Sequence, residues 1–269
     1  MRQLEMTLAA AMSLAVASMA ATAAPASAQT NNAQLVQGYI RFMAYHEAGH
    51  MLMNQIQGIN AKTAPTDAIE RAADDFATLL LIPDPSDDDG VNEIMGAALA
   101  WLKAGPRYSD NDPHAPPRER AEQIICHIYG SDPKSFAELG EVVDPEWACE
   151  QKYADMLDGL VEEYVNHTDE PGLKMDVSYA PPAQGMETAA QFLRESDILD
   201  DLANDVAEDF KLVRPTKLMA MNCKAMGGDA GTFHFDSFSG EKPEQNYDRI
   251  VVCYELIDMW LKVDFETEE

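Results

Sequence analysis

The chain has 269 residues, 46% of them hydrophobic and 25% charged, enough to bury a sizeable core in one or two domains and too apolar for a disordered tail. Lys and Arg number 19 against 47 Asp and Glu, a formal net charge of -28 that repels polyanions and so argues against nucleic acid and anionic membrane surfaces as partners. Cations, basic peptides and neutral substrates stay open.

Residues 1–28 read as a secretory signal peptide, with Arg2 near the start, an apolar run from Met6 to Ala24, and Ala26-Ser27-Ala28 as the cleavage site. The run is short and Ala-rich for a membrane-spanning helix, and no later stretch approaches the ~18 uninterrupted apolar residues that a span needs. The mature chain is therefore expected to be secreted or periplasmic, with no membrane association after signal cleavage. Export permits disulfides. Of the three connectivities open to Cys126, Cys149, Cys223 and Cys253, the sequential one is preferred, because each pair then flanks a single turn-containing connection; cysteine-liganded zinc is the alternative reading.

From Ala33 to about Gln57, Leu35, Tyr39, Phe42, Met43, Met53 and Ile56 recur at steps of three and four, which predicts a long amphipathic helix ended by Gly58. Asp67 is placed to cap a second helix running through Leu81, stopped by Pro83 and Pro85. Three more helices are expected at Val91 to Lys103, Arg118 to Tyr129 and Glu146 to Val165. Between Asp169 and Gly185, three prolines and two glycines without helical period read as a linker or surface loop. A helix from Thr188 to Phe210 follows. Lys217 to Cys223 and Arg249 to Tyr254 read as short strands whose Gly-rich connection suits a hairpin, before a closing helix from Glu255 to Val263. The predicted fold class is mainly α (α+β), a helical core with a small antiparallel sheet contributed by the C-terminal half. Residues 29–168 form the helical metal-binding region, and residues 169–269 complete the same domain.

His46-Glu47-Ala48-Gly49-His50 is an H-E-x-x-H sequence inside the first long helix, the context this motif requires. Residues four apart stack on one helix face, so both imidazoles can reach one Zn2+, while Glu47, one step round, is set to take a proton from water as general base. A catalytic zinc needs a third protein ligand, and Glu70 at the start of the next helix supplies it. Asp74, one turn on, is the outer acceptor that fixes a ligand histidine's tautomer. Two plainer readings compete: Asp67 and Glu70 have the spacing of a capping box, and Asp75 stands beside Asp74. His114, in an irregular Asp- and Pro-rich loop, is the candidate donor to the oxyanion, ahead of His127, Tyr129 and Tyr254.

His46, Glu47, His50, Glu70 and Asp74 together resemble the gluzincin metallopeptidases of thermolysin type. HEAGH with ERAADDFA, then Asp112-Pro113-His114, Cys126-His127-Ile128-Tyr129-Gly130 and Trp147-Ala148-Cys149-Glu150, resembles the metallopeptidase family DUF4344 over roughly Phe42 to Tyr153. The resemblance implies a zincin-like core, a peptide or protein substrate, and an edge strand presented to the substrate backbone. Asn222-Cys223 and Arg249 to Leu256 look like a segment that precedes the H-E-x-x-H helix in typical members, which points either to a circular permutation or to a rearranged fragment of a tandem pair, and to a sheet built from the C-terminal half. The second function class open to such a chain is a catalytically silent secreted zinc-binding or interaction protein that keeps the ligand set.

Overall fold

The computed structural model describes residues 26–59, 66–104, 113–164, 172–224, 233–240, 242 and 245–263. The signal-peptide reading lies outside them except for residues 26–28, which open the first helix. Helix α1 (Ala26–Leu52) is the axis of the fold. Leu35, Val36, Tyr39, Ile40, Phe42, Ala44, Tyr45, Ala48, Met51 and Leu52 are all buried, so the helix is apolar nearly all round and is wrapped by other elements rather than lying on a surface. Helices α2 (Asp67–Leu81) and α3 (Asp88–Ala104) pack along it. The approach of α3 requires Gly38, because a Cβ there would overlap the Glu93 carbonyl.

A π-helical turn, Met53–Gln57, ends α1, and Gly58 closes it at φ 70 with its N–H donating to the Met53 carbonyl. The cap of α2 is Thr66, whose hydroxyl accepts from the Ile69 N–H at 3.3 Å. Asp67, expected as the cap, is the first helical residue and pairs with Arg71 instead. Helices α4 (Pro117–Ser131) and α5 (Cys149–Tyr164) complete the first half, separated by two short 3-10 turns at Ala137–Glu141 and Pro145–Trp147. The Cys126–Cys149 disulfide ties α4 to the start of α5.

The second half holds β1 (Met175–Tyr179), α6 (Glu187–Glu195), α7 (Ile198–Asp209), β2 (Thr216–Met221), β3 (His234–Phe238), β4 (Tyr247–Cys253) and α8 (Tyr254–Trp260). The mainly helical class with a small sheet from the C-terminal half is what the molecule shows, but three local expectations are corrected. The stretch read as linker contains β1. The single helix over 188–210 is two, broken at Asp197, which takes a left-handed φ of 52. The sheet is mixed, in the order β1-β2-β4-β3, with β2 parallel to both β1 and β4 and only β3 antiparallel to β4. The two strand runs seen in the sequence are therefore parallel neighbours, and the hairpin is β3–β4. The unbroken run Ile250-Val251-Val252, all buried, is what a strand covered on both faces looks like.

Both disulfides follow the sequential pairing; Cys223–Cys253 staples the end of β2 to the end of β4. Each closes a loop of tens of residues and contributes about 3 kcal/mol by constraining the unfolded chain. The C-terminal helix returns to the start of α1, where Tyr39 and Trp260 pack with ring centroids 4.3 Å apart and Asn32 donates to the Val263 carbonyl at 3.1 Å. Gln55, in the π turn, accepts from the Val213 and Arg214 N–H groups and donates to Thr216 at 3.0 Å. That tie holds the end of α1 to the entry of β2.

Candidate metal centre

His46 and His50 lie one turn apart near the end of α1, and α2 packs against the face they share. Gly49 permits the contact: a Cβ there would stand 3.2 Å from the Ala73 Cα and 3.3 Å from the Phe76 ring. On α2, Glu70 Oε2 lies 2.9 Å from His50 Nε2 and 3.3 Å from His46 Nε2, and the two Nε2 atoms are 3.1 Å apart. The Glu70 carboxylate thus turns toward the histidines rather than back onto its own helix start, and the capping-box alternative falls away. Asp74 Oδ1 meets His46 Nδ1 at 2.8 Å. Asp75 is occupied elsewhere, accepting from Gln123 at 2.5 Å and meeting His127 Nε2 at 3.1 Å.

Sequence reasoning missed Arg120. Buried on α4, it donates to Asp74 through Nε at 2.8 Å and through Nη2 at 2.5 Å, and its guanidinium lies 3.6 Å over the Trp101 ring. A signal existed: Arg120 falls on the stripe that continues through Ile124 and Ile128, where a charge is unexpected unless it is paired.

His46, Glu47, His50, Glu70 and Asp74 are all buried, so their charges must be compensated locally. Burial would raise the Asp74 carboxyl, but the Arg120 guanidinium and the His46 N–H hold it well below the usual carboxylate range. Burial likewise opposes ionisation of Glu70, yet His114, His46 and His50 keep it ionised. For His46, burial opposes the charged form, and the bonds to Asp74 and Glu70 outweigh it, pushing the imidazole up to about 9.

This network decides the tautomer. An ionised Asp74 only accepts, so His46 Nδ1 carries the hydrogen and Nε2 faces Glu70 and His50. Three acceptor atoms within 4.8 Å of one another need a cation between them, either a proton or a metal ion. Ligands about 2.0 Å from a tetrahedral metal stand about 3.3 Å apart. The separations of 2.9, 3.1 and 3.3 Å lie close to that value, so the set fits a divalent metal.

His114, in the segment leading into α4, is brought to the same place: its Nε2 is 3.1 Å from Glu70 Oε2 and its ring centroid 5.6 Å from that of His46. The other oxyanion candidates are not. His127 faces Asp75, the Tyr254 hydroxyl donates to the Ala180 carbonyl at 2.8 Å, and Tyr129 packs against Gly140.

A family model, DUF4344, described as "Putative metallopeptidase", matches residues 3–158, more than half of the chain. The chain belongs to this family. No curated protein and no solved structure matches it. Membership in DUF4344 puts the chain, as a class, among metal-dependent peptidases, and His46, His50 and Glu70 are a group that could hold a metal ion. The matched region spans α1 to the middle of α5 and contains every residue of the centre. Among the described residues, no helix is long and apolar enough to cross a membrane.

Proposed function

We propose that the chain is an exported zinc metallopeptidase of gluzincin type, with residues 29–269 acting as one catalytic domain on peptide or protein substrates. The observation that carries this reading is the convergence of His46 Nε2, His50 Nε2 and Glu70 Oε2, with Asp74 behind His46. Two imidazoles and one carboxylate suit zinc and leave a position for substrate or water. Bound there, Zn2+ would supply Lewis acidity, lowering the pKa of water to about 7 and polarising a peptide carbonyl. Glu47, buried beside His46, takes the proton of the attacking water and returns it to the leaving amine. Asp74, held by Arg120, keeps the His46 ring and tautomer fixed. His114 donates through Nε2 to the developing oxyanion. Strand β3, at the edge of the sheet and packed against α1, offers an extended peptide a backbone to pair with. The two disulfides support export.

The test is Glu47→Gln with metal analysis and cleavage of a mixed peptide library, with and without chelator. Full metal content with hydrolysis reduced at least 100-fold supports the role, a size expected for a lost general base. Undiminished hydrolysis refutes it. One observation favours the second reading, a silent zinc-binding protein: His114 Nε2 lies as close to Glu70 Oε2 as the ligand histidines do and can close the remaining position. His114→Ala separates the two. Loss of activity at constant metal content marks an oxyanion donor, whereas weaker metal binding with no hydrolysis in either form marks a fourth ligand.

A further inference from the structure

We propose that Cys223, Cys253 and His234 form a second metal site, for a soft or borderline cation, which exists only while the Cys223–Cys253 bond is reduced. The two sulfurs and one imidazole nitrogen all lie within 4.8 Å of one another. The sheet dictates this. His234 opens β3 opposite Val251 of β4, and Cys253 lies two residues further along β4 on the same face. Cys253 in turn is the register partner of Met221, the last residue of β2, and Cys223 lies two residues beyond. All three therefore gather at the carboxyl ends of the parallel strands β2 and β4. Both cysteines are buried and His234 is half-buried.

The backbone around the cluster is held by more than the disulfide. The Glu255 carboxylate accepts the N–H of Cys223 at 3.0 Å and that of Lys224 at 3.1 Å, and Cys253 is fixed by its ladder with β2. Opening the S–S bond therefore leaves two thiols facing one histidine in an ordered frame. The other disulfide differs: among the described residues, Cys126 and Cys149 have no third ligand atom in range. Two thiolates and an imidazole select Zn2+, Cd2+ or Cu(I) over hard cations such as Mg2+ and Ca2+.

The chemistry is balanced by a dithiol reductant. It is oxidised to its own disulfide, and two electrons and two protons pass to Cys223 and Cys253. Binding of the metal then releases the two thiol protons to solvent. Disulfide and metal exclude each other, since each needs both sulfurs. Oxidation would eject the metal, and a bound metal would protect the thiols.

The experiment uses the full chain, treated anaerobically with a dithiol, desalted, and titrated with Cd2+ while thiolate-to-metal charge-transfer absorption is followed. Carrying His46→Ala and His50→Ala separates this site from the H-E-x-x-H centre. One equivalent of Cd2+ is expected with a charge-transfer band in the reduced protein and none in the oxidised protein. The band should persist in a Cys126→Ser, Cys149→Ser variant and vanish in Cys223→Ser, Cys253→Ser. His234→Ala should leave the far-UV circular dichroism of the oxidised protein unchanged and weaken binding at least tenfold. A band that survives loss of Cys223 and Cys253, an affinity indifferent to His234, or a reduced protein that loses its far-UV spectrum overturns the proposal.

Discussion

Arg120→Met tests the buried side of the metal centre most sharply. The guanidinium is 3% exposed and holds a carboxylate that is 4% exposed, through bonds of 2.8 and 2.5 Å. Methionine keeps most of the apolar stem but removes the charge and the guanidinium stacked over Trp101, leaving Asp74 without its cationic fork in a dry site. Breaking a buried pair from one side costs about 3–5 kcal/mol, because the remaining charge is uncompensated. Asp74 then keeps only the His46 N–H as partner, and to the extent that it takes up a proton it accepts less firmly from His46 Nδ1. Loss of such an outer partner typically lowers metal affinity 10- to 100-fold. The assay is urea denaturation of the metal-free chain with a metal titration in parallel. Arg120→Lys keeps the charge without the fork and should fall between wild type and Arg120→Met. Asp74→Asn with Arg120→Met removes both charges and should be more stable than Arg120→Met alone, since the orphaned charge rather than the missing bond sets the cost. An Arg120→Met protein within 1 kcal/mol of wild type, with unchanged metal affinity, would refute the reasoning.

The proton on His46 predicts a pH dependence. Its pKa in the folded, metal-free chain is about 9 against an ordinary 6.5, so the stability it contributes is fully present below pH 6.5 and is lost as pH rises through about 9. Thermal melts of chelated protein should fall across that window, and a flat profile would sink the assignment. Because the metal must displace this proton, metal affinity should climb about tenfold per pH unit and level off near 9, as a competition titration would read. At Gly49, a Val side chain must push α2 away from α1, since even a Cβ stands 3.2 Å from the Ala73 backbone. Overpacking of that kind costs about 1–3 kcal/mol. Glu70 rides on the displaced helix, so metal affinity should drop with stability; unchanged metal binding in Gly49→Val would show that the contact is not what sets the site.

The centre was legible in the sequence because its geometry is local. His46 and His50 are one helical turn apart, Glu70 and Asp74 are one turn apart on the next helix, and only the meeting of the two faces had to be assumed. The pairing of the cysteines was also accessible, since each bridge closes a single connection. Arg120 was not, because the sequence shows a charge on an apolar stripe but says nothing of what faces it across 46 residues. Strand direction escaped for a related reason. A short apolar run records burial, not the neighbour it pairs with, and Arg249 to Tyr254 reads the same whether Lys217 to Cys223 lies parallel or antiparallel to it.

The mixed sheet bears on the proposed function. β2 pairs parallel with β4, and β3, which lies between them in the chain, is the edge strand, antiparallel to β4 and packed against α1. The same strand order puts His234 beside Cys223 and Cys253, at the far end of strands whose entry is tied to α1 by Gln55. One topological choice thus furnishes the edge beside the metal helix and the cluster at the sheet's other end. Perturbing the β2–β4 register should therefore disturb both, while changes confined to α4 and α5 should reach only the Asp74–Arg120 side of the centre.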